Sequence, residues 1–575
     1  MSQVKLKNKT SRNGFDLSRK NAFTAKVGEL LPVACIECIP GDNIKGRIQH
    51  FTRTMPVNTA AYTRVREYYD WFFVPTNLLW NKFNSFVTQM TKNSQHSYSI
   101  TQSYQITDRH PYFTVSQLVE YIQSARTYEN AFGFNRANCT IKLLNYLGYG
   151  DYTSAIGTTS FYKYNANLNP FPLLAYQKIY QDYFRNSQWE NAHAPAYNVD
   201  YLGVSGQSSQ IPVSSLNSSI STTENMFDLR YSNWNKDLFM GLLPESQYGD
   251  AASVFVSTDP YESATFALGA NQIGDLQSVS GSIGGSIGKI TAGSNTNATN
   301  FTLSDSGALG MKRLLGVDNI SFSILALRQA EALQKWKEIT QSQQQDYKNQ
   351  IESHFGVSVD DAYSERCKYV DGSVNNLDIS EVTNTNITGN YAADIAGKGV
   401  GVGDANFNFK TDVHGYLMCI YHAVPLLDYA LTGIHRTNLK NYATDYAIPE
   451  FDATGMVSVP LVELTNTQSV SFSDLLGYAP RYYDYKQAVD EVHGAFRGSL
   501  SHWVAPVTDS YLVNFLNSYG SPNSLDYKFF KVNPSTLNPI FVSDANSELS
   551  TDQLLVNTSF DITAVRNLDR NGLPY

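Results

Sequence analysis

Several features are scarce in this 575-residue chain. Charged residues make up 17% of it, below the norm of about 25% for globular domains. Cysteine occurs only five times, and this odd, scattered set excludes a disulfide framework and favours folding in a reducing cytoplasm. No run of about eighteen apolar residues occurs, so we expect no membrane insertion. The opening residues, MSQVKLKNKTSR, lack the apolar segment of a secretion signal.

Motifs of catalysis and metal binding are also missing. No Gly-x-Ser-x-Gly or His-Glu-x-x-His pattern occurs. The Gly-rich segment 281–289 differs from a phosphate-binding loop, because Ile283 and Ile290 stand where Gly and Ser or Thr are required. Cys35 and Cys38 have no second CxxC pair, and their spacing on a strand sends their side chains to opposite faces. We therefore predict no catalytic residue, no cofactor and no metal site.

Tyrosine is abundant, with 38 residues against 6 tryptophans. A tyrosine ring is apolar and its tip is polar, which suits half-buried strands and contacts between subunits. The composition is therefore typical of an assembly subunit. An ordinary Tyr-rich β protein would have a similar composition.

Basic residues are concentrated in residues 1–26, which carry a net charge of +6, whereas the rest of the chain carries −15. A basic segment on an acidic body indicates an anionic partner, and nucleic acid is the natural candidate. An extended arm can place cations along a phosphate chain, while Phe15 and Phe23 stack on bases or anchor the arm to neighbouring subunits. A solvated, disordered tail is the alternative. The candidate nucleic-acid-binding residues are Lys5, Lys7, Lys9, Arg12, Arg19, Lys20 and Lys26.

Residue patterns predict a mainly β protein with a few helices. Strand-like runs lie at 27–39, at 66–74, at 411–424 and in the last hundred residues. Apolar spacings of three and four predict a short helix at 80–87. Residues 323–354 contain no proline or glycine and predict one long helix, or two shorter ones, because their Gln-rich middle is solvated.

Two polar segments interrupt this pattern. Residues 196–310 are rich in Ser, Asn, Thr and Gly, and a structureless segment of such length is uncommon inside a compact domain. We interpret it as an inserted surface excursion with the Gly/Ser-rich stretch 275–294 as its tip. Its apolar stretch 226–244 is expected to fold and pack back on the body of the protein or on neighbouring copies, because exposing it is costly. A smaller, turn-rich excursion is expected at 371–408.

Ordered blocks of sequence carry a resemblance to a known family. The block 13–80 joins a basic leader, a Pro-Gly-Asp turn and the aromatic sequence FFVP. Later blocks are ALRQAEALQK at 326–335, HFGV at 354–357, DVHGYLMCI at 412–420, YALTGIHR at 429–436, PEF at 449–451 and YAPRYYDYKQAVDEVHGAFRGSLSHWV at 478–504. Together and in this order, they resemble the major capsid protein of microviruses, small single-stranded DNA bacteriophages, and particularly of their gokushovirus-like branch.

The resemblance implies an eight-stranded antiparallel viral jelly roll with long inter-strand insertions and no enzymatic activity. It implies that the chain assembles with itself into a T=1 icosahedral shell around a single-stranded DNA genome. Minor virion proteins (pilot, internal scaffolding and small DNA-binding proteins) and a host surface receptor are further implied partners. The implied location is the virion capsid, assembled in the host bacterial cytoplasm. In gokushovirus-like members a long insertion forms a protrusion at the three-fold axes, and 196–310 matches it in place and composition.

The expected organisation has four parts. They are a basic arm at 1–26, the first part of the jelly roll at 27–195, the insertion at 196–310 and the remainder at 311–575, including helix 323–354. The run VNTAAYTRVREYYDW departs from the family wording, so ligand contacts in that region are not carried over. Two other functions compete, a secreted carbohydrate-active β enzyme and a surface adhesin. Either would need an export signal, which the opening residues do not provide.

Overall fold

The computed structural model describes most of the chain. The described residues are 12–57, 61–88, 110–156, 165–202, 209–220, 224–253, 265–268, 273–274, 290–291, 299–302, 324–361, 364–383, 395–430, 432–466, 474–504, 506–508, 525–541 and 552–570. Contacts divide the chain into two compact units, residues 249–337 and the larger remainder.

Strands predominate among the described residues. They are β1 (Asn13–Asp16), β2 (Arg19–Ala25), β3 (Leu31–Cys38), β4 (Asn43–Thr54), β5 (Val65–Pro75), β6 (Phe113–Thr114), β7 (Asn167–Leu168), β8 (Thr265–Leu268), β9 (Ile273–Gly274), β10 (Ile290–Thr291), β11 (Thr299–Thr302), β12 (Lys368–Thr383), β13 (Ile395–Lys410), β14 (Gly415–Pro425), β15 (Asp428–Tyr429), β16 (Met456–Pro460), β17 (Leu475–Pro480), β18 (Pro506–Val507) and β19 (Leu554–Arg566). The α-helices are α1 (Phe83–Thr88), α2 (Val115–Ala125), α3 (Arg136–Tyr146), α4 (Phe171–Ile179), α5 (Val213–Ser219), α6 (Ile324–Ser342), α7 (Tyr347–Phe355) and α8 (Tyr483–Lys486).

One antiparallel sheet dominates the larger unit. Its strand order is β1–β19–β4–β13–β12–β5–β14–β3, and β2 also pairs with β19. Strands β1 and β2 follow each other along the same edge of β19, because Asp16 lies opposite Thr563 and Arg19 opposite Phe560. Counted as one interrupted strand, they bring the sheet to eight strands. The mainly β, antiparallel jelly roll with a few helices is therefore confirmed.

The sheet curls so that its two halves face each other across a core. The Trp71 ring of β5 lies 4.2 Å from the Phe407 ring of β13 and 6.1 Å from the Phe560 ring of β19. The rings of Phe73 and Phe409 are 4.8 Å apart. Such aromatic pairs bury large apolar areas and prefer specific tilted or edge-on geometries. They fix how the β5 half packs on the β13 and β19 half.

The two halves differ in what covers their outer faces. All eleven residues of β14 are buried, because the core lies on one face and helices pack on the other. Helix α4 contacts β5 and β14, and the Tyr176 hydroxyl on this helix donates a hydrogen bond of 2.9 Å to the Leu30 carbonyl. Strands β4 and β19 instead alternate buried and exposed residues. This alternation is typical of a sheet with one face open to solvent.

A buried ionic network joins distant parts of the chain. The Lys142 ammonium of α3 lies 2.6 Å from Glu29 and 2.8 Å from Asp552, just before β19. The Thr24 hydroxyl donates to Asp552 at 2.5 Å, and the Lys26 backbone N–H donates to Glu29 at 2.9 Å. Burial raises the pKa of Glu29, although the Lys142 charge opposes that rise. For Lys142, burial would lower the pKa, but the two carboxylates outweigh it and raise the pKa.

The segment 323–354, predicted to form one long helix or two shorter ones, forms two helices. Helix α6 ends at Ser342 and α7 begins at Tyr347. Asp346 caps α7, because its carboxylate accepts a hydrogen bond of 3.4 Å from the Asn349 N–H. The short helix predicted at 80–87 is confirmed as α1.

The prediction of a turn-rich excursion at 371–408 was wrong. Most of this segment forms β12 and β13, which pair with each other and with β5 and β4. The glycines at alternate positions of β13 favour a turn prediction, because glycine is usually depleted in strands. Here they face inward, and a β-carbon at Gly403 would lie only 2.1 Å from the His50 ring. The glycines thus make room for side chains of neighbouring strands.

The apolar stretch 226–244 packs into the core of the larger unit. Phe227 and Trp234 are buried, and the Phe227 ring lies 4.6 Å from the ring of Tyr121 on α2. Residues 196–248, the first part of the expected insertion, belong to this larger unit, whereas 249–337 forms the second. Packing back onto the protein is therefore confirmed for the apolar stretch.

Cysteines and acidic clusters in the described ranges give no sign of metal chemistry. All five cysteines are free thiols, with Cys35 half-buried and Cys38 buried. Within these ranges no group of three or more His, Cys, Asp or Glu side chains is placed to hold a metal ion. No helix that the structure describes is long and apolar enough to cross a membrane.

Gly46 of β4 provides a test of the core geometry. A β-carbon at this position would lie 2.2 Å from the Phe407 ring, which is itself packed on Trp71. We expect Gly46→Ala to destabilise the chain by about 1–3 kcal/mol, because the ring must be displaced. Gly14→Ala is the matched control, since nothing lies within 4 Å of a β-carbon there. Denaturant midpoints of the unassembled chain measure the difference, and equal midpoints would contradict the packing.

Lys142→Met tests the buried network. Removing the cation leaves two buried carboxylates and should cost about 3–5 kcal/mol at pH 8. The folded-state pKa of Glu29 then lies above its unfolded value, so its charged form destabilises the variant, and protonation removes this penalty as pH falls. The loss of stability relative to the native chain should therefore shrink between pH 8 and pH 5.

Urea unfolding at both pH values measures this change. Lys486→Met is the control, because its ion pair with Asp452 is half-exposed and should contribute no more than about 1 kcal/mol. A loss of stability for Lys142→Met that does not depend on pH would show that the carboxylates are not responsible.

Candidate nucleic-acid interface

Strand β4 presents basic side chains on the open face of the sheet. Its sequence, NIKGRIQHFTRT, alternates strictly between buried and exposed residues. Ile44 and Ile48 point into the core, whereas Lys45, Arg47 and Arg53 point outward. The period of two in a strand places these three cations on one face.

Neighbouring strands extend this outer face. Lys20 of β2 lies opposite Ser559 of β19, which lies opposite Gln49 of β4. Directly opposed residues project to the same side of an antiparallel sheet, so Lys20 shares the face with the β4 cations. On the other side of β4, Lys410 of β13 lies opposite Asn43 and is exposed. The outer face therefore gathers cations from three strands.

The cations of this face differ in how they are paired. Arg47 makes a two-point contact with Asp404 at 2.8 and 2.5 Å, and its hydrogen bond lowers the pKa of Asp404. Asp561, Asp16 and Asp378 of β12 are further exposed acids on this side of the sheet. Within the described ranges, Lys20, Lys45 and Arg53 have no ion pair. These three side chains are therefore able to meet an anion.

An aromatic side chain lies among them. Phe51 is 37% exposed, and the Arg53 guanidinium lies 5.0 Å from its ring centre. The ring lines a shallow depression of about 520 Å³ together with Ala22, Leu555 and Asn557. An exposed ring beside cations can stack on a base while the cations meet phosphates, which is how single strands are held without sequence preference.

The structure separates the residues that the sequence grouped into one arm. Lys5, Lys7 and Lys9 lie outside the described residues. Arg12 is exposed and donates a hydrogen bond of 3.1 Å to the Gly41 carbonyl. Lys20 lies on the outer face, whereas Arg19 lies opposite the inward-facing Phe560 and so projects to the other side of β2.

Two further arm residues belong to the protein interior. Lys26 is only 8% exposed, and its ammonium lies 4.9 Å from the centre of the Phe134 ring. Phe23 is buried, with its ring 5.1 Å from that of Tyr421. In this conformation Lys26 cannot reach a phosphate and Phe23 cannot stack on a base. Residues 13–25 thus belong to the sheet rather than to a free arm.

Sequence reasoning missed the cations of β4 and the ring of Phe51. The signal was present, because polar and apolar residues alternate from 43 to 54. The alternation could not reveal that β2 and β19, more than 500 residues apart in sequence, extend the same face. A basic strand by itself is usually only a solvated edge.

Comparison with known proteins relates the chain to capsid proteins. The sequence profile of a family described as "Capsid protein (F protein)" matches residues 2–128 and 142–574. Capsid protein VP1 of Bdellovibrio phage phiMH2K is 22% identical, over 98% of this chain and 95% of the relative. Capsid protein VP1 of Chlamydia phage 1 is 20% identical, over 86% of each chain.

Proposed function

Because this chain belongs to the capsid protein (F protein) family, we propose that it builds the icosahedral shell of a small bacteriophage and encloses its single-stranded DNA. The resemblance to gokushovirus-like capsid proteins is confirmed by relatives that cover nearly the whole chain. These relatives are structural proteins, so the chain is a structural capsid protein and not an enzyme. The single observation that carries this function is the end-to-end match on an antiparallel jelly roll.

The proposal includes a T=1 shell made of copies of this chain and assembled in the host cytoplasm. Pilot, internal scaffolding and small DNA-binding proteins are its proposed companions in the virion. Low charge and abundant tyrosine support extensive contacts between copies. Among the described strands, β1, β2 and β3 each pair with only one neighbour in the main sheet, so sheet edges, loops and sheet faces all remain for those contacts.

DNA contact is assigned to the outer face of β2, β4, β13 and β19, with help from the arm cations. Arg53 supports this assignment, because its guanidinium lies 5.0 Å from the centre of the exposed Phe51 ring. Lys20 and Lys45 lie on the same outer face. Charge and stacking suffice for a protein that must hold a whole genome without reading its sequence. Lys5, Lys7 and Lys9 would extend the same contacts from the residues that precede β1.

Host attachment is assigned to the insertion at 196–310 and to its Gly/Ser-rich tip, 275–294. Composition outside the buried stretch 226–244 supports this assignment, because a segment poor in buriable residues tolerates change and suits an outer recognition loop. Residues 275–289 and 292–294 of the tip lie outside the described residues.

Assembly is tested by expressing the chain together with the other structural genes of its phage. We expect closed shells that sediment far ahead of the 64.1 kDa chain, because each interface should bury well over about 1,000 Å². Sedimentation and electron microscopy make the measurement. Material that remains the size of a single chain under all conditions would refute the function.

DNA contact is tested by replacing Lys20, Lys45 and Arg53 with serine in one variant. Each phosphate that the variant no longer neutralises should reduce the slope of log affinity against log salt by roughly 0.7 for a single strand. Filter binding of single-stranded DNA at several salt concentrations measures the slope. The matched control replaces Arg328, Lys335 and Lys368 with serine, which removes the same charges from α6 and from the start of β12.

Two more variants separate the sources of affinity. Phe51→Ala should weaken binding without changing the salt slope, because stacking releases no counterions. Deleting residues 1–11 removes Lys5, Lys7 and Lys9 while leaving β1 and β2 intact, so it isolates the arm from the sheet. An unchanged slope in the triple serine variant, or an equal change in its control, would show that DNA lies elsewhere.

A further inference from the structure

Two segments of the larger unit form an unusual surface, which we call the aromatic platform and define as residues 436–455 and 481–487. No residue of 436–455 is buried. Tyr442 is 74% exposed and Tyr485 is 56% exposed. The platform thus presents large rings to solvent on chain segments with little regular secondary structure.

Polar contacts join the two segments to each other, while the buried Tyr482 and Tyr483 anchor the second segment in the protein interior. The Lys440 ammonium lies 2.5 Å from Asp484 and 4.0 Å from the centre of the Tyr485 ring. Lys486 lies 2.5 Å from Asp452, so charges cross-link the segments at two points. The Lys440–Asp484 pair is shielded from solvent, with side chains 5% and 7% exposed. The Lys486–Asp452 pair is half-exposed and should contribute little stability.

Arg481 adds a third cross-link and an aromatic contact. Its guanidinium donates a hydrogen bond of 2.9 Å to the Thr454 hydroxyl and lies 5.4 Å from the centre of the Phe451 ring. Exposed tyrosine and arginine side chains, pre-positioned by their neighbours, are the residues that most often dominate binding energy at protein interfaces. The platform has this composition, and its tyrosines lie beside the cross-links that join its two segments.

Charge excludes nucleic acid as the natural occupant. The platform carries four cations and four acids, so its formal net charge is zero, unlike that of the face around Phe51. The charged residues are Arg436, Lys440, Arg481, Lys486, Asp445, Glu450, Asp452 and Asp484. A neutral, aromatic surface suits a protein partner.

We propose that the aromatic platform is a contact between copies of this chain, with a second copy covering Tyr442 and Tyr485. The inference rests on the proposed shell function, which requires large self-contacts. The platform spans 27 residues, which matches the 20–30 residues that each side of a stable interface contributes. Without a partner, its exposed rings would remain in contact with water, which is energetically unfavourable.

The test replaces Tyr442 and Tyr485 together with serine in the full chain, expressed with its companion phage genes. We expect a roughly tenfold or greater loss of sedimenting shells, because interface tyrosines near an interface centre carry much of the binding energy and every copy carries the defect. Tyr442→Phe with Tyr485→Phe should restore assembly, since the rings remain. Tyr128→Ser with Tyr201→Ser is the matched control, as these rings are also exposed but lie outside the platform.

A measurement on the unaltered chain avoids any effect of substitution on folding. Oxidative footprinting should label Tyr442 and Tyr485 at least about fivefold less in shells than in unassembled chains, because a partner excludes solvent from them. Equal labelling in both states, normal shells from the serine variant, or equal failure of variant and control would each overturn the inference. If the native chain forms no shells, the proposed function itself fails, so the two failures are distinguishable.

Discussion

The architecture depends on how β19 joins the main sheet. This strand pairs with β4 on one edge and with β1 and β2 on the other. The inner face of the sheet is therefore complete only when both edges of β19 are paired. The buried ammonium of Lys142 fixes the approach to this strand by holding Asp552 next to Glu29. A buried cation with two carboxylates contributes little net stability over apolar packing, but its geometry is demanding. The ion network therefore acts chiefly to select one arrangement of the segments that carry Glu29, Lys142 and Asp552.

The pairing of the strands also determines which surfaces are left for partners. Helices cover the β14 half of the curled sheet, while the β4 half keeps an open face with alternating exposed side chains. The rings of Trp71, Phe407 and Phe560 fill the space between the halves. Surface faces, loops and sheet edges therefore remain for partners. This suits a capsid protein, whose work is contact with other copies of itself.

Sequence alone predicted the β class, the helix near residue 83 and the family, and it allowed two separate helices as one of two forms for residues 323–354. These features have local signals, such as periodicity and the solvated Gln-rich stretch between two apolar stripes. It failed for β12 and β13, because their glycines are read as turn formers unless the neighbouring side chains that fill the space are known. For the candidate interface it grouped Lys20 with Lys26, although Lys20 is exposed on the outer face and Lys26 is buried against Phe134. Which residues share a face follows from strand pairing over hundreds of residues, and no local pattern records that pairing.

The pairing of Gly14 with Val565 also means that β1 must wait during synthesis until its partner strand is made. A ribosome adds roughly 5–20 residues per second, so about 25–100 s pass between the emergence of the amino-terminal strand and that of its partner. During this interval the edges of β2 and β4 that β19 will occupy have no partner within the nascent chain. Because such unpaired edges invite pairing with other chains, the growing polypeptide has a window of vulnerability that host chaperones would need to cover.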